Sequence, residues 1–338
     1  MKLGILSSNF LDPNIEQLGI SKLASNRLRL NIAKNAAIEN NINVLPLDLY
    51  NKFQDIDILL IGKFVAESGA NKFIDDDGSR MIKWLIYIEH VKKRGAKIIL
   101  DYTDNLIISK DKRSEFYKKV LPYINIITVP SEMMKKNIKE FYDGEVVIIE
   151  EPIEVDVNPI IQDDYTEVNA LWFGHSTNLI YLIRRIGEFK NIDKLKIVTS
   201  LLDERDKNII RSLNKKLTVE FYEWQRNFNS NNKMKCNICL IPSDINDEKK
   251  NGVSNNRLIT AFAMGLVPAV SPIDSYKPYR EYYYNLDENL TINKTQLKIL
   301  NQKLISEQMD IIKDYTSIKI MEKWRNLFLL ESNLIKNK

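Results

Sequence analysis

The segment from Cys236 to Pro272, CNICLIPSDINDEKKNGVSNNRLITAFAMGLVPAVSP, constrains the fold more than any other part of the chain. Ile238 to Pro242 is a short apolar run that continues into Ser243 and Asp244, the pattern of a buried strand running into a loop. A polar stretch from Asp244 to Asn251 follows. Gly252 to Ser254 then lead into a helix whose apolar positions Leu258, Ile259, Ala261, Phe262 and Ala263 let it lie against a sheet. Gly265 ends that helix, and Val267 to Val270 begins the next strand. Strand, helix and strand in this order predict parallel pairing. The strand-to-helix loop then sits at the carboxyl edge of the sheet, where ligands bind and helix amides attract phosphate.

The rest of the chain repeats this unit. In the first half, strands are expected over Lys2–Leu6, Val44–Leu47, Ile56–Ile61, Ala96–Leu100, Ile124–Val129 and Val146–Ile149. Helices are expected over Ser21–Asn40, over Arg80–Arg94, and from a Ser131 cap through Phe141. A proline-punctuated polar stretch, Glu151 to Thr166, reads as a hinge. After it, strands over Ala170–Phe173, Leu195–Thr199 and Leu217–Tyr222 alternate with helices over Asn178–Phe189 and Asp206–Leu213. Beyond Tyr283 the chain reads as helical to its end, with Ile318–Leu330 as an amphipathic last helix. The alternation predicts an α/β protein with parallel sheets covered on both faces. At 338 residues the chain accommodates two Rossmann-like domains of roughly 150 residues each.

Composition narrows the function classes. Hydrophobic residues make up 44% of the chain, enough for a real core. The only cysteines, Cys236 and Cys239, lack a second ligand pair and fall on a strand, so core packing is expected rather than redox or metal chemistry. With no disulfide framework, and MKLGILSS reading directly as a first strand, a reducing cytoplasm is expected. No run of eighteen apolar residues offers a membrane span. The net charge is only +4, from 49 basic and 45 acidic residues, yet lysines cluster in the first half. Lys92, Lys93, Arg94 and Lys97 form one group, Lys110, Lys112, Arg113, Lys118 and Lys119 a second, and Lys135, Lys136 and Lys139 a third. These are solvated faces or a contact with an anionic membrane surface.

Taken in order, SNRLRLNIAKNA, IILDYTDN, IITVPSEMMKKNI, ALWFGHSTNL and the opening segment resemble the GT-B glycosyltransferases, in particular the nucleotide-sugar half of the family 4-like, group 1 enzymes. The resemblance implies two Rossmann-like domains facing each other across a cleft. Residues 1–153 would form the acceptor-side domain and 154–316 the nucleotide-sugar-binding domain, with 317–338 a helix returning to the first domain. The implied activity is transfer of a sugar from a nucleotide-sugar donor to a glycan or lipid-linked acceptor, independent of metal and cofactor, with no nucleic acid partner. Retaining members of the family carry two glutamates eight positions apart. Here Gly252 and Thr260 stand in those places, and the FGHSTN loop lacks the family's Arg and Lys. A non-catalytic nucleotide-sugar-binding subunit, or an epimerase or hydrolase on the same architecture, is therefore kept as an alternative.

A donor diphosphate carries about two negative charges, to be met by cations, helix amides or a metal. Gly174 permits close backbone approach, Ser176 stands at a helix start, and His175 lies in the same loop; an ordinary cap by Ser176 or Thr177 is the competing account. Lys249, Lys250 and Arg257 supply cations. Arg257 opens a helix whose dipole favours an acid there, a mismatch that a bound anion relieves. Asn255 and Asn256 add amides, and Thr260 shares the helix. Trp224 either stacks on a base or packs internally. An inverting transfer needs a base within reach of the acceptor hydroxyl. Asp104 is the first candidate and Asp101 the second, each with a structural alternative. Their spacing is not the Asp-x-Asp metal motif, and Asp75 to Asp77 before Gly78 read as a turn, so no metal is expected. His90 is expected at the surface. Arg27 and Arg29 are expected on different helix faces, with Arg27 the better placed to reach a ligand.

Overall fold

In a computed structural model the described residues are 1–7, 15–21, 23–45, 47, 53–64, 79–200, 202–226, 228–229 and 234–336. The Asp75–Asp77 turn lies outside them. The chain divides into two units: Met1–Pro152 with Gly252–Ser254 and Ser317–Lys338, and Ile153–Asn251 with Asn255–Thr316.

The first unit is built on six strands: β1 (Lys2–Leu6), β2 (Asn43–Leu45), β3 (Ile58–Ile61), β4 (Lys97–Asp101), β5 (Ile126–Val129) and β6 (Glu145–Ile148). They pair in parallel in the order β2-β1-β3-β4-β5-β6. Consecutive residues point to opposite faces, so one strand feeds two cores. Leu59, Ile61, Ile98, Leu100, Ile127 and Val129 face helices α2 (Ser79–Lys93), α3 (Lys112–Val120) and α4 (Glu132–Lys139). Ile58, Leu60, Ile99 and Ile126 join the opposite core with α1 (Asn31–Glu39) and the last helix, α10 (Ser317–Lys336). There Ala33, Ala36 and Ala37 leave room for Trp324, Leu327 and Phe328 of α10. Burial on both faces explains why these strands read as continuous apolar runs.

The expected helix Ser21–Asn40 is helical over residues 24–39, with a π-helical turn, Asn26–Leu30, between α-helical residues 24–25 and Asn31–Glu39; a separate 3₁₀ segment, Ile15–Ile20, precedes it. The wider π turn changes the phase of the side chains that follow, which a count at 3.6 residues per turn misses.

The second unit carries β7 (Asn169–Phe173), β8 (Lys194–Thr199), β9 (Thr218–Glu223), β10 (Ile238–Ile241), β11 (Val267–Val270) and β12 (Tyr284–Asn285), all parallel, in the order β12-β11-β10-β7-β8-β9. Between them lie α5 (Leu179–Ile186), α6 (Glu204–Leu213), α7 (Glu248–Asn251) and α8 (Asn256–Ala263), and α9 (Lys294–Ile312) follows. The expectation of helix throughout from Tyr283 is corrected. Tyr284 and Asn285 add a two-residue edge strand to β11, too short to show a period. Gly265 ends α8 at φ +77, and a Cβ there would come 2.7 Å from the Pro159 carbonyl oxygen, so glycine alone fits. Both cysteines are unbridged, and burial pushes their thiols up to about 12, so they pack rather than react.

Candidate donor and acceptor sites

At the carboxyl edge of the second sheet, Gly174 follows β7 and Arg257 lies in the first turn of α8. Gly174 has φ +157 and is tied down through its amide to the Val198 carbonyl (3.1 Å) and its carbonyl to Thr199 Oγ1 (2.8 Å). A Cβ at Gly174 would sit 3.7 Å from Arg257 Cζ, so this glycine lies in contact with the guanidinium. Behind it the guanidinium lies 5.2 Å from the Trp172 ring and 5.5 Å from Phe173, which hold the cation by their π faces.

Arg257 is half-buried, and among the described residues no carboxylate pairs with it. Its Nε and Nη2 are shielded from solvent and have no hydrogen-bond partner. Burial pulls its proton affinity below the ordinary arginine range, and the nearby Tyr276 and Cys239 only partly oppose this. Two shielded nitrogens whose N–H donors lack acceptors cost several kcal/mol in total, of order 1 to 3 kcal/mol each. The helix start adds to the demand for an anion: α8 has no acid in its first turn and no side-chain cap from Asn255. Asn255 is 7% exposed; its Nδ2 donates to Tyr315 Oη (2.8 Å) and Tyr279 Oη (3.3 Å), while its Oδ1 is buried without a partner.

The other donor-side candidates scatter. Asn256 faces back along its own helix, accepting from Thr260 Oγ1 at 3.5 Å, and Thr260 is buried. Lys250 donates to Asn178 Oδ1 at 3.1 Å and lies over the Tyr181 ring, while Lys249 is exposed. His175 is exposed and is itself the cap of the short Ser176–Asn178 turn, its Nδ1 accepting from the Thr177 amide; neither Ser176 nor Thr177 caps it. Trp224 is half-buried after β9, its amide bonded to the Thr199 carbonyl. A neighbouring groove at this edge, lined by Tyr181, Arg184, Arg185, Ser243, Asp244 and Asp287, sets two arginines against two aspartates, and Arg185 pairs with Asp287 and bonds Ser271 Oγ.

In the first unit, acidic residues gather where β4 and β6 end. Asp101 is 1% exposed and accepts from Arg29 Nε at 3.0 and 3.1 Å, Arg29 Nη2 at 2.5 Å and Thr128 Oγ1 at 2.7 Å. Arg29 also donates to the Ile149 carbonyl. Burial opposes the arginine's charge, and Asp101 more than offsets it, so its pKa is raised. The π turn delivers Arg29 to this pair, while Arg27 donates to the Ser21 carbonyl at 2.6 Å. Asp101 is thus tied into a structural pair with Arg29, which leaves Asp104, the first candidate, as the candidate base. Asp104 is 28% exposed and pairs with Lys63 at 2.6 Å. His90 is half-exposed on α2 with its ring against Phe53.

Sequence reasoning missed Glu151. Burial raises its carboxyl above the glutamate range; Arg29 and a hydrogen bond with Ser254 pull the other way, and Asp101 and Asp104 add to the rise. Its place directly after β6, beside Glu150, was the available signal. Among the described residues, no group of three or more His, Cys, Asp or Glu gathers as a metal site, and no helix is long and apolar enough to cross a membrane.

Known structures share this arrangement of two parallel sheets. The DNA-modifying enzyme β-glucosyltransferase, solved with and without uridine diphosphoglucose, superposes with a TM-score of 0.53 at 16% identity over 98% of this chain and 99% of that one. T4 phage BGT in complex with UDP and Mn²⁺ gives 0.51 at 15% identity over the same shares. The fold is GT-B. TarM matches with a TM-score of 0.51 at 13% identity over 80% of this chain and 54% of its own, so the chain spans about half of TarM's length. No protein-family model and no curated protein matches the sequence.

Proposed function

We propose that the protein is a glycosyltransferase that moves a sugar from a nucleotide-sugar donor to a glycan or lipid-linked acceptor. The observation that carries this reading is Arg257: a half-buried arginine with two shielded, unanswered guanidinium nitrogens at an uncapped helix start, beside Gly174. A diphosphate answers all of these at once, with negative charge for the dipole and oxygen acceptors for Nε and Nη2. As the donor bond breaks, charge grows on the diphosphate, so a fixed cation there stabilises the transition state more than the ground state. Asp104 is proposed as the base that takes the acceptor hydroxyl's proton, with Lys63 paired to its carboxylate at 2.6 Å. Gly174, His175, Ser176, Trp224, Lys249, Lys250, Asn255, Asn256, Thr260 and Arg27 stand as proposed donor contacts of lower rank. The proposed transfer relies on Arg257 rather than a metal for charge, and takes place in the cytoplasm or at an anionic membrane face.

Calorimetric titration with UDP and other nucleoside diphosphates tests the donor site. Arg257→Ala is expected to weaken binding by about 1.5 to 3 kcal/mol, the worth of charge-assisted hydrogen bonds. Unchanged affinity removes Arg257 from the site. Asp104→Asn is expected to abolish turnover while donor binding persists, whereas a non-catalytic subunit would show no turnover to lose, and an epimerase would interconvert sugar nucleotides without acceptor. The whole-length likeness to a DNA-modifying glucosyltransferase places duplex DNA in the acceptor panel beside glycans and lipid-linked sugars. Each assay is run with and without Mn²⁺.

A further inference from the structure

Gly252–Ser254 belongs to the first unit although the residues on both sides belong to the second. Three observations show how this strap is held. Ser131, which caps α4 by accepting from the Met134 amide at 3.1 Å, donates its hydroxyl to the Gly252 carbonyl at 2.8 Å. Gly252 lies so close to α4 that a Cβ would come 2.8 Å from Asn137 Nδ2 and 3.3 Å from Met134 Cα. Ser254 is hydrogen-bonded to the carboxyl of Glu151. The next three residues in the chain are Asn255, Asn256 and Arg257.

We propose that Glu151 and Ser131 are positioning residues for Arg257, fixing Gly252–Ser254 so that α8 begins at one defined point and presents its guanidinium to a nucleoside diphosphate. The inference rests on the donor reading above and adds to it residues that touch no ligand. Its logic is covalent: Ser254 is three residues from Arg257, within one helical turn of it, so freedom at the strap becomes freedom at the helix start. Preorganisation of this kind lowers the ordering cost of binding without adding a contact. A Cβ at 252 would have to displace the Asn137 amide and crowd the Met134 backbone, which gives a physical reason for glycine there.

The test is UDP titration of the full chain with Glu151→Ala, Ser254→Ala, Gly252→Ala and the conservative Glu151→Gln. Alanine at each of the three positions is expected to weaken UDP about tenfold, 1.4 kcal/mol by the usual conversion. Glu151→Gln, which keeps an acceptor for Ser254, is expected to bind as the parent does. Combining Glu151→Ala with Ser254→Ala should cost no more than either alone, since both remove one bond. Parent-like binding in all three alanine variants, with binding lost in Arg257→Ala, overturns the proposal and leaves the donor reading intact. If the parent binds no nucleoside diphosphate, the donor reading fails, and amide exchange decides the strap separately. Faster exchange at Arg257 and Leu258 in Glu151→Ala and Ser254→Ala upholds it, and unchanged exchange overturns it.

Discussion

Arg29 and Arg257 both carry guanidinium nitrogens shielded from solvent near the carboxyl edge of a parallel sheet, Arg29 fully buried and Arg257 half-buried, and their partners are opposites. Arg29 has Asp101 across a doubled contact and a backbone carbonyl besides. Arg257 has two aromatic rings and no acid. The first sits in a finished arrangement, with its charge cancelled within the fold. The second is costly in the unliganded protein, and what remains unanswered in it describes a ligand. A buried cation is therefore informative about binding only once its partners have been counted.

The largest expected effect breaks the finished pair. Asp101→Ala strands Arg29 in the core and should cost about 3 to 5 kcal/mol in urea unfolding. A loss below about 1 kcal/mol would mean that Arg29 is no better satisfied than Arg257. Next, saturating UDP at one hundred times its dissociation constant should stabilise the parent protein by about 2.7 kcal/mol, and the same UDP concentration should stabilise Arg257→Met by only about 0.3 to 1.3 kcal/mol. The same Arg257→Met variant should unfold without ligand at least as late as the parent, by about 1 kcal/mol or more, because it removes a charge and buried N–H groups that lack partners. A destabilised Arg257→Met would collapse the contrast.

The smallest effect concerns Glu151. Its folded pKa is raised, so the native state holds that proton more tightly than the unfolded chain does. The stability this gives is full below the ordinary glutamate value and is lost as pH rises through the raised one. Glu151→Gln, which imitates the neutral acid, should therefore be more stable than the parent at pH 8. The gain should vanish below pH 4, as thermal melts across that range would show.

Much of this was legible in the chain. Continuous runs such as ILLI at Ile58–Ile61 announce strands buried on both faces, and Gly265 and Ser131 mark the end and the start of helices by their backbone and capping chemistry. Arg257 stood out because a cation in a first helical turn works against the dipole. What could not be read depends on distant partners or local geometry. Asp101 was a candidate base until Arg29, 72 residues earlier, was seen to occupy it. Arg29 itself was passed over for Arg27 because Ser25 and Asn26 make the turn at Arg27 polar, whereas the partner of Arg29 lies 72 residues away. Glu151 meets Ser254 only after the chain has built most of a second unit and returned.

The π turn at Asn26–Leu30 also bears on how this chain can change length. Such a turn is what one inserted residue makes of an ordinary helix. Deleting a single position there would restore regular winding and swing Arg29 by roughly 100° away from Asp101, since each residue of an α-helix advances about that far. A one-residue deletion that a surface loop would absorb should here leave two opposite charges stranded in the core. When relatives of this chain are aligned, a gap placed within Asn26–Leu30 is thus a statement about whether the Arg29–Asp101 pair exists at all.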